Sequence, residues 1–169
     1  MVRIGLVSLV RAEVVVVAGS AEQRLRRELV DMEEMTRTQV GVGDVALVGE
    51  SAFHWTVDLL PQMPSAHTSR RLVVGFDFSD RYPYAPPRVR FAVPPFHPNV
   101  SGTGMVDSSV LTSEWSPTMT TAKVIVHLLD LLESPETTDP VRPEAADLYL
   151  SDRDAYQQKA RASTESCAI

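Results

Sequence analysis

A single cysteine, Cys167, stands in the 169-residue chain. No internal disulfide can form, and a reducing compartment, cytoplasmic and/or nuclear, is the expected setting. The histidines at 54, 67, 97 and 127 share no metal-ligand spacing with one another or with Cys167, so neither a metal nor a cofactor is expected. No stretch reaches the ~20 apolar residues of a membrane span, and no membrane partner is expected. Basic charge is in short supply: 16 Lys and Arg stand against 22 Asp and Glu, a formal net charge of -6. That argues against nucleic acid as the main partner. Internal repeats, low-complexity tracts and linkers are lacking.

What is present suits a globular fold. Apolar residues make up 44% of the chain and charged residues 22%. This length fits one domain and buries a core without disulfides or metals. The opening residues, 1–17, read MVRIGLVSLVRAEVVVV. Arg11 and Glu13 break the apolar run that a secretion signal needs, and Val14–Val17 has high strand propensity. The reading left open here is an extra strand, a poorly ordered arm or a mis-assigned start. At the other end Cys167 has two residues after it, one short of a prenylation signal, and reads as an exposed thiol on a frayed tail. The expected division is therefore an extension over 1–19, a core domain over 20–163 and a tail over 164–169.

Ser20-Ala21-Glu22-Gln23 is a capping-box pattern. Leu25, Leu29 and Met32 follow at helical spacing, with Arg24, Arg26, Arg27 and Glu28 expected on the other faces, so a helix is expected from about 21 to 36. Strand-like segments come next at Val45–Val48, Phe53–Leu60, Leu72–Phe78 and Val89–Ala92. Their connections are too short for parallel crossovers, which predicts an antiparallel meander. Tyr82-Pro83-Tyr84-Ala85-Pro86-Pro87 cannot be regular structure, because its prolines remove donors and fix φ. Residues 94–117 show little periodicity, and a loop of that length in a compact domain is usually functional. Val124, Ile125, Leu128, Leu129 and Leu132 predict a second helix that Pro135 stops. Pro143 suits a helix first turn, and Asp152 can cap a last helix through about Ser163. The fold class is α+β.

The succession Tyr82-Pro83-x-x-Pro86-Pro87, His97-Pro98-Asn99 and Trp115-Ser116-Pro117 resembles the ubiquitin-conjugating enzymes. So does Asp139-Pro140-x-x-Pro143-Glu144, and the likeness runs from about Ala21 to Ser163. It implies the ubiquitin-conjugating-enzyme-like fold: N-terminal helix, four-stranded antiparallel meander, long active-site-type loop and C-terminal helices. In that family a cysteine eight residues beyond the motif asparagine carries the modifier as a thioester. Here Asp107 holds that position, within Gly104-Met105-Val106-Asp107-Ser108. A carboxylate is a weaker nucleophile than a thiolate, and a mixed anhydride would be far more labile to water than a thioester. Ser108 and Ser109 offer hydroxyls, yet no histidine stands beside them in sequence.

Gly-Met-Val-Asp resembles the cysteine-lacking variants of the family, which hold a modifier and an active conjugating enzyme without supplying chemistry. This chain departs from them by keeping His97-Pro98-Asn99 and the helices from Pro143 to Ser163. The resemblance implies a non-catalytic cofactor or scaffold in conjugation, expected not to be an enzyme. The alternative is an active transferase with an unexpected nucleophile, such as Cys167. The implied partners are ubiquitin or a ubiquitin-like protein, an active conjugating enzyme and a ligase. The degenerate site would comprise Asp107, Asn99, His97 and Asp139. Within it, His97 is structural, Asn99 is an oxyanion donor or a loop brace, and Asp139 is either an acid near an incoming lysine or a cap of the third helix. Tyr84, Ser116 and Pro117 would meet a ligase. Arg24, Arg26 and Arg27 would form a basic face toward an activating enzyme. Trp55 and Trp115 read as packing residues. The family's hairpin-loop Tyr-x-Gly-Gly is replaced here by His67-Thr68-Ser69-Arg70.

Overall fold

The computed structural model describes residues 20–62, 65–67 and 70–165. The extension over 1–19 with its Val14–Val17 segment, the Ser20 side chain expected to cap the first helix, Thr68 and Ser69, and Cys167 in the tail lie outside the described residues or side chains.

Helix α1 spans Ser20–Thr38. Its buried stripe is Ala21, Leu25, Glu28 and Met32, an i, i+4, i+7, i+11 series. Glu28, expected on a polar face, sits in that stripe, because helical geometry rather than polarity decides which side faces inward. The strands are β1 (Val42–Leu47), β2 (His54–Leu59), β3 (Leu72–Asp77) and β4 (Arg88–Phe91). They pair in chain order, all antiparallel. This is the expected meander, with boundaries shifted by at most a few residues. The largest shift is at β1, where an irregular step between Val42 and Val45 lets pairing begin earlier than Val45.

Trp55, Val57, Val74, Phe76, Val89 and Phe91 alternate onto one sheet face. Against them pack Leu25 and Met32 of α1 and Val124, Ile125 and Leu128 of α2 (Thr121–Glu133). Alternation fails at Asp58, which is buried and answered by the Arg71 guanidinium at 2.7 Å. A second, smaller cluster joins Ala66 and Phe96 to Ala145, Tyr156 and Ala160. The last three come from α3 (Pro143–Ser151) and α4 (Arg153–Glu165). Pro143 occupies the first turn of α3, and the Asp152 carboxylate caps α4 by accepting from the Ala155 N–H at 3.0 Å.

Candidate functional site

The long loop between β4 and α2 is more ordered than its lack of periodicity suggests. Residues 100 and 106 form an antiparallel bridge, and Met105 bridges back to Arg90 of β4. Gly104 makes this approach possible: its φ is 89°, and a Cβ there would lie 2.3 Å from the Phe91 carbonyl oxygen. A single 3-10 turn, Ser109–Leu111, follows.

This folding brings Asn99, Asp107 and Asp139 onto one groove of about 610 Å³. Ser108, Ser109, Thr112, Glu136 and Thr137 complete much of its lining. Asp107 is exposed, and its N–H donates to the Asn99 carbonyl at 2.9 Å. Asp139 is exposed and lines the same groove. It is not the cap of α3: that position belongs to Arg142, with no capping side chain.

Asn99 commits its side-chain amide to the Glu136 backbone. Its Nδ2 donates to the Glu136 carbonyl at 2.9 Å, and its Oδ1 accepts from the Glu136 N–H at 2.9 Å. Of its two expected roles, this geometry is that of a brace between loops.

His97 lies behind the groove and does not line it. Its Nδ1 accepts from the Asn99 N–H at 3.1 Å, so Nε2 carries the proton and donates to the Leu131 carbonyl at 2.9 Å. Burial, with a smaller effect of neighbouring His67, lowers its pKa to about 3. At neutral pH this imidazole is a fixed donor and acceptor. His67, 6.1 Å away between ring centroids, is lowered to about 4 by burial, and neither of its ring nitrogens has a hydrogen-bond partner among the described residues.

Ser108 shows what sequence adjacency missed. His127, from α2, places Nε2 2.6 Å from the Ser108 Oγ. The same hydroxyl donates to Glu136 Oε1 at 2.9 Å. A hydroxyl has one proton, and a carboxylate can only accept. The arrangement that satisfies all three groups has the His127 Nε2–H donating to Ser108 and Ser108 donating to Glu136. His127 is then a donor to the serine and not its base. Glu136 also accepts from the Ser109 N–H at 3.3 Å. Arg142 adds a further clamp, with its N–H on the Pro98 carbonyl at 3.0 Å and a guanidinium nitrogen on the Pro95 carbonyl at 3.1 Å. None of these partners is local in sequence. Only the position of Glu136 two residues before Thr138-Asp139 hinted at proximity to the groove.

A second feature is the rim formed by the Tyr82–Pro87 and Trp115–Thr120 loops. Tyr84 is 78% exposed. Pro117 is exposed, and Ser116 is half-buried with its hydroxyl paired to Thr118 at 2.8 Å. The Trp115 indole N–H joins the loops by donating to the Pro83 carbonyl at 2.8 Å. Trp55 is buried and donates to the Ala52 carbonyl at 2.7 Å, so both tryptophans pack rather than project.

The basic face of α1 differs from expectation. Arg24 turns under the rim, donating to the Pro117 carbonyl at 3.4 Å, the Met119 carbonyl at 3.3 Å and the Glu28 carboxylate. Arg26 pairs with Glu22 at 2.6 Å. Arg27 alone of the three is exposed with no ion pair among the described residues. An i, i+4 spacing to an acid could have signalled the first two pairings.

Comparison with known proteins places this geometry. A ubiquitin-conjugating enzyme E2 domain from Toxoplasma gondii superposes with a TM-score of 0.75 at 27% identity, over 86% of this chain and 97% of that one. Residues 24–164 match the ubiquitin-conjugating enzyme family. With the match spanning the first helix, the sheet, the groove and the C-terminal helices, the chain belongs to the ubiquitin-conjugating enzyme family.

Proposed function

We propose that this chain is a non-catalytic cofactor or scaffold in ubiquitin or ubiquitin-like conjugation, holding a modifier or an active conjugating enzyme rather than carrying the modifier as a thioester. Its role in conjugation rests on the family; the non-catalytic reading rests on the groove. The observation that carries it is Asp107, an exposed carboxylate beside Asn99 at the position where the family's motif spacing puts a cysteine. Such a group gives a weak nucleophile and a hydrolytically labile acyl product. The neighbouring Ser108 hydroxyl supports the same reading, since it is buried and committed to Glu136. A scaffold of this kind accelerates transfer by holding reactants in register. Its proposed setting is the cytoplasm and/or nucleus, where a lone thiol stays reduced.

The test is a charging assay on the full chain with activating enzyme, ATP and ubiquitin, resolved on gels with and without reductant. The expected result is no reductant-sensitive adduct while an active conjugating enzyme charges alongside. A reductant-sensitive adduct that disappears in Cys167→Ser would establish the alternative, a transferase working through its only thiol. Pull-downs on ubiquitin and on active conjugating enzymes would then identify what a scaffold holds.

A further inference from the structure

The carboxylate of Glu28 is 3% exposed, yet it belongs to neither the groove nor the apolar core. Donors from three separate segments converge on it. The Tyr82 hydroxyl lies 2.9 and 2.8 Å from its two oxygens. The Thr121 N–H and hydroxyl donate at 2.7 and 2.8 Å, and the Arg24 guanidinium completes the set. Tyr82 stands two residues before Tyr84, and Thr121 four residues after Pro117. Both loops of the rim are therefore bolted to one oxygen pair on α1. Arg24 adds a second arm through the Pro117 and Met119 carbonyls, and the Trp115–Pro83 bond closes the frame across the top.

The exposed Tyr84 and Pro117 side chains have no such anchors of their own among the described residues. Tyr84 is 78% exposed and extends from a loop, and Pro117 does the same. Left free, each loop residue would lose backbone entropy on being fixed by a partner. A loop fixed beforehand avoids that loss and binds more tightly through the same contacts.

We propose that Glu28 is a positioning residue for the Tyr84–Pro117 rim, acting with Arg24 to hold both loops at one spacing before any partner arrives. The binding part of this proposal rests on the reading of the rim as a ligase-docking surface; the positioning part does not. Because Glu28 is 3% exposed and Tyr82 1%, neither can touch a partner directly, so any effect on docking must pass through the loops. Replacing Glu28 by glutamine keeps shape and length but leaves one acceptor oxygen where the Thr121 N–H and the Arg24 guanidinium, which can only donate, each had one.

Hydrogen exchange on the full-length chain tests this without a partner. Glu28→Gln and Tyr82→Phe are compared with wild type over residues 82–85 and 115–120, with β2 and β3 as internal reference. The expected result is exchange about tenfold faster in the rim segments of Glu28→Gln, a smaller effect in Tyr82→Phe, and sheet exchange unchanged. An equal rise in the sheet would show a general structural role, and an unchanged rim would show no role; either overturns the proposal. A second arm measures binding of an immobilised ligase domain of the type that docks on conjugating enzymes. Affinity should fall about fivefold or more in Glu28→Gln, with Tyr84→Ala losing more. Affinity unchanged in Glu28→Gln while Tyr84→Ala abolishes binding would overturn the link from Glu28 to docking. A wild-type chain that does not bind would overturn the ligase reading of the rim, while exchange decides the positioning by itself.

Discussion

Helix α2 is gripped at both ends by buried polar groups, and the two grips use opposite chemistry. At its start, the Glu28 carboxylate accepts from the Thr121 N–H. At its end, the His97 imidazole donates to the Leu131 carbonyl. Each satisfies backbone groups that a helix terminus leaves without intrahelical partners. The carboxylate stands at the N-terminal pole of the helix dipole, where an acceptor oxygen is favoured. It is held by converging donors, and burial first, then the neighbouring Glu28 carboxylate, push the Tyr82 hydroxyl pKa upward against smaller opposing effects of Thr121 and Arg24. At the other end the dipole would favour a protonated imidazole, by up to about 2 kcal/mol in partly buried sites. Burial outweighs it and brings His97 down to about 3. The lesson is that each helix end takes the buried group whose hydrogen-bonding sense complements it, an acceptor at the N–H end and a donor at the carbonyl end. Glu28 is surrounded by donors and His97 by a carbonyl, an N–H and another imidazole.

The hardest way to break this comparison is Glu28→Ala. It strands the Tyr82 hydroxyl, the Thr121 donors and the Arg24 guanidinium together, and should cost about 3–5 kcal/mol in urea unfolding. The histidine end should break with acid instead. Both His67 and His97 have folded-state pKa values below the ordinary 6.5. The unfolded chain therefore takes up their protons first as pH falls. Their stabilisation is complete above about 6.5 and is lost on acidification, at up to about 1.4 kcal/mol per pH unit for each histidine, until the folded values near 4 and 3 are reached. Urea midpoints measured between pH 7 and pH 4 would show the slope. A flat profile would mean that these imidazoles protonate without unfolding the loop.

Asn99→Ala should cost about 1–3 kcal/mol by leaving the Glu136 N–H and carbonyl without their partner, and it sharpens the contrast by loosening the groove while sparing α2. His67→Leu should change stability at neutral pH by less than about 1 kcal/mol, because the imidazole it removes has no hydrogen bond to lose among the described residues. It should also reduce the acid slope. The smallest effect is expected for Arg26→Ala, which removes a surface pair to Glu22 worth about 0.3–0.5 kcal/mol and should fade in high salt.

Legibility in the sequence followed distance along the chain. The meander was readable because alternation over a few residues marks each strand, and Trp55, Val57 and Phe76 do face inward. The shared groove of Asn99 and Asp107 was within reach because eight residues of one loop separate them. Glu28 was misplaced onto a polar face, since its donors Tyr82 and Thr121 lie 54 and 93 residues away. Ser108 appeared to lack a histidine for the same reason, with His127 19 residues on and in another element. Arg24 looked like part of a free basic face until the loop at Pro117 folded over it.

Periodicity, capping residues and the proline and glycine positions determined the elements, their order and the loop that carries Asp107, because those are set by backbone geometry within a few residues. Which polar groups became braces, which stayed exposed, and which histidines were denied their protons were decided only by tertiary structure. Burial and donor supply belong to the neighbours that folding brings together, and no local pattern encodes them.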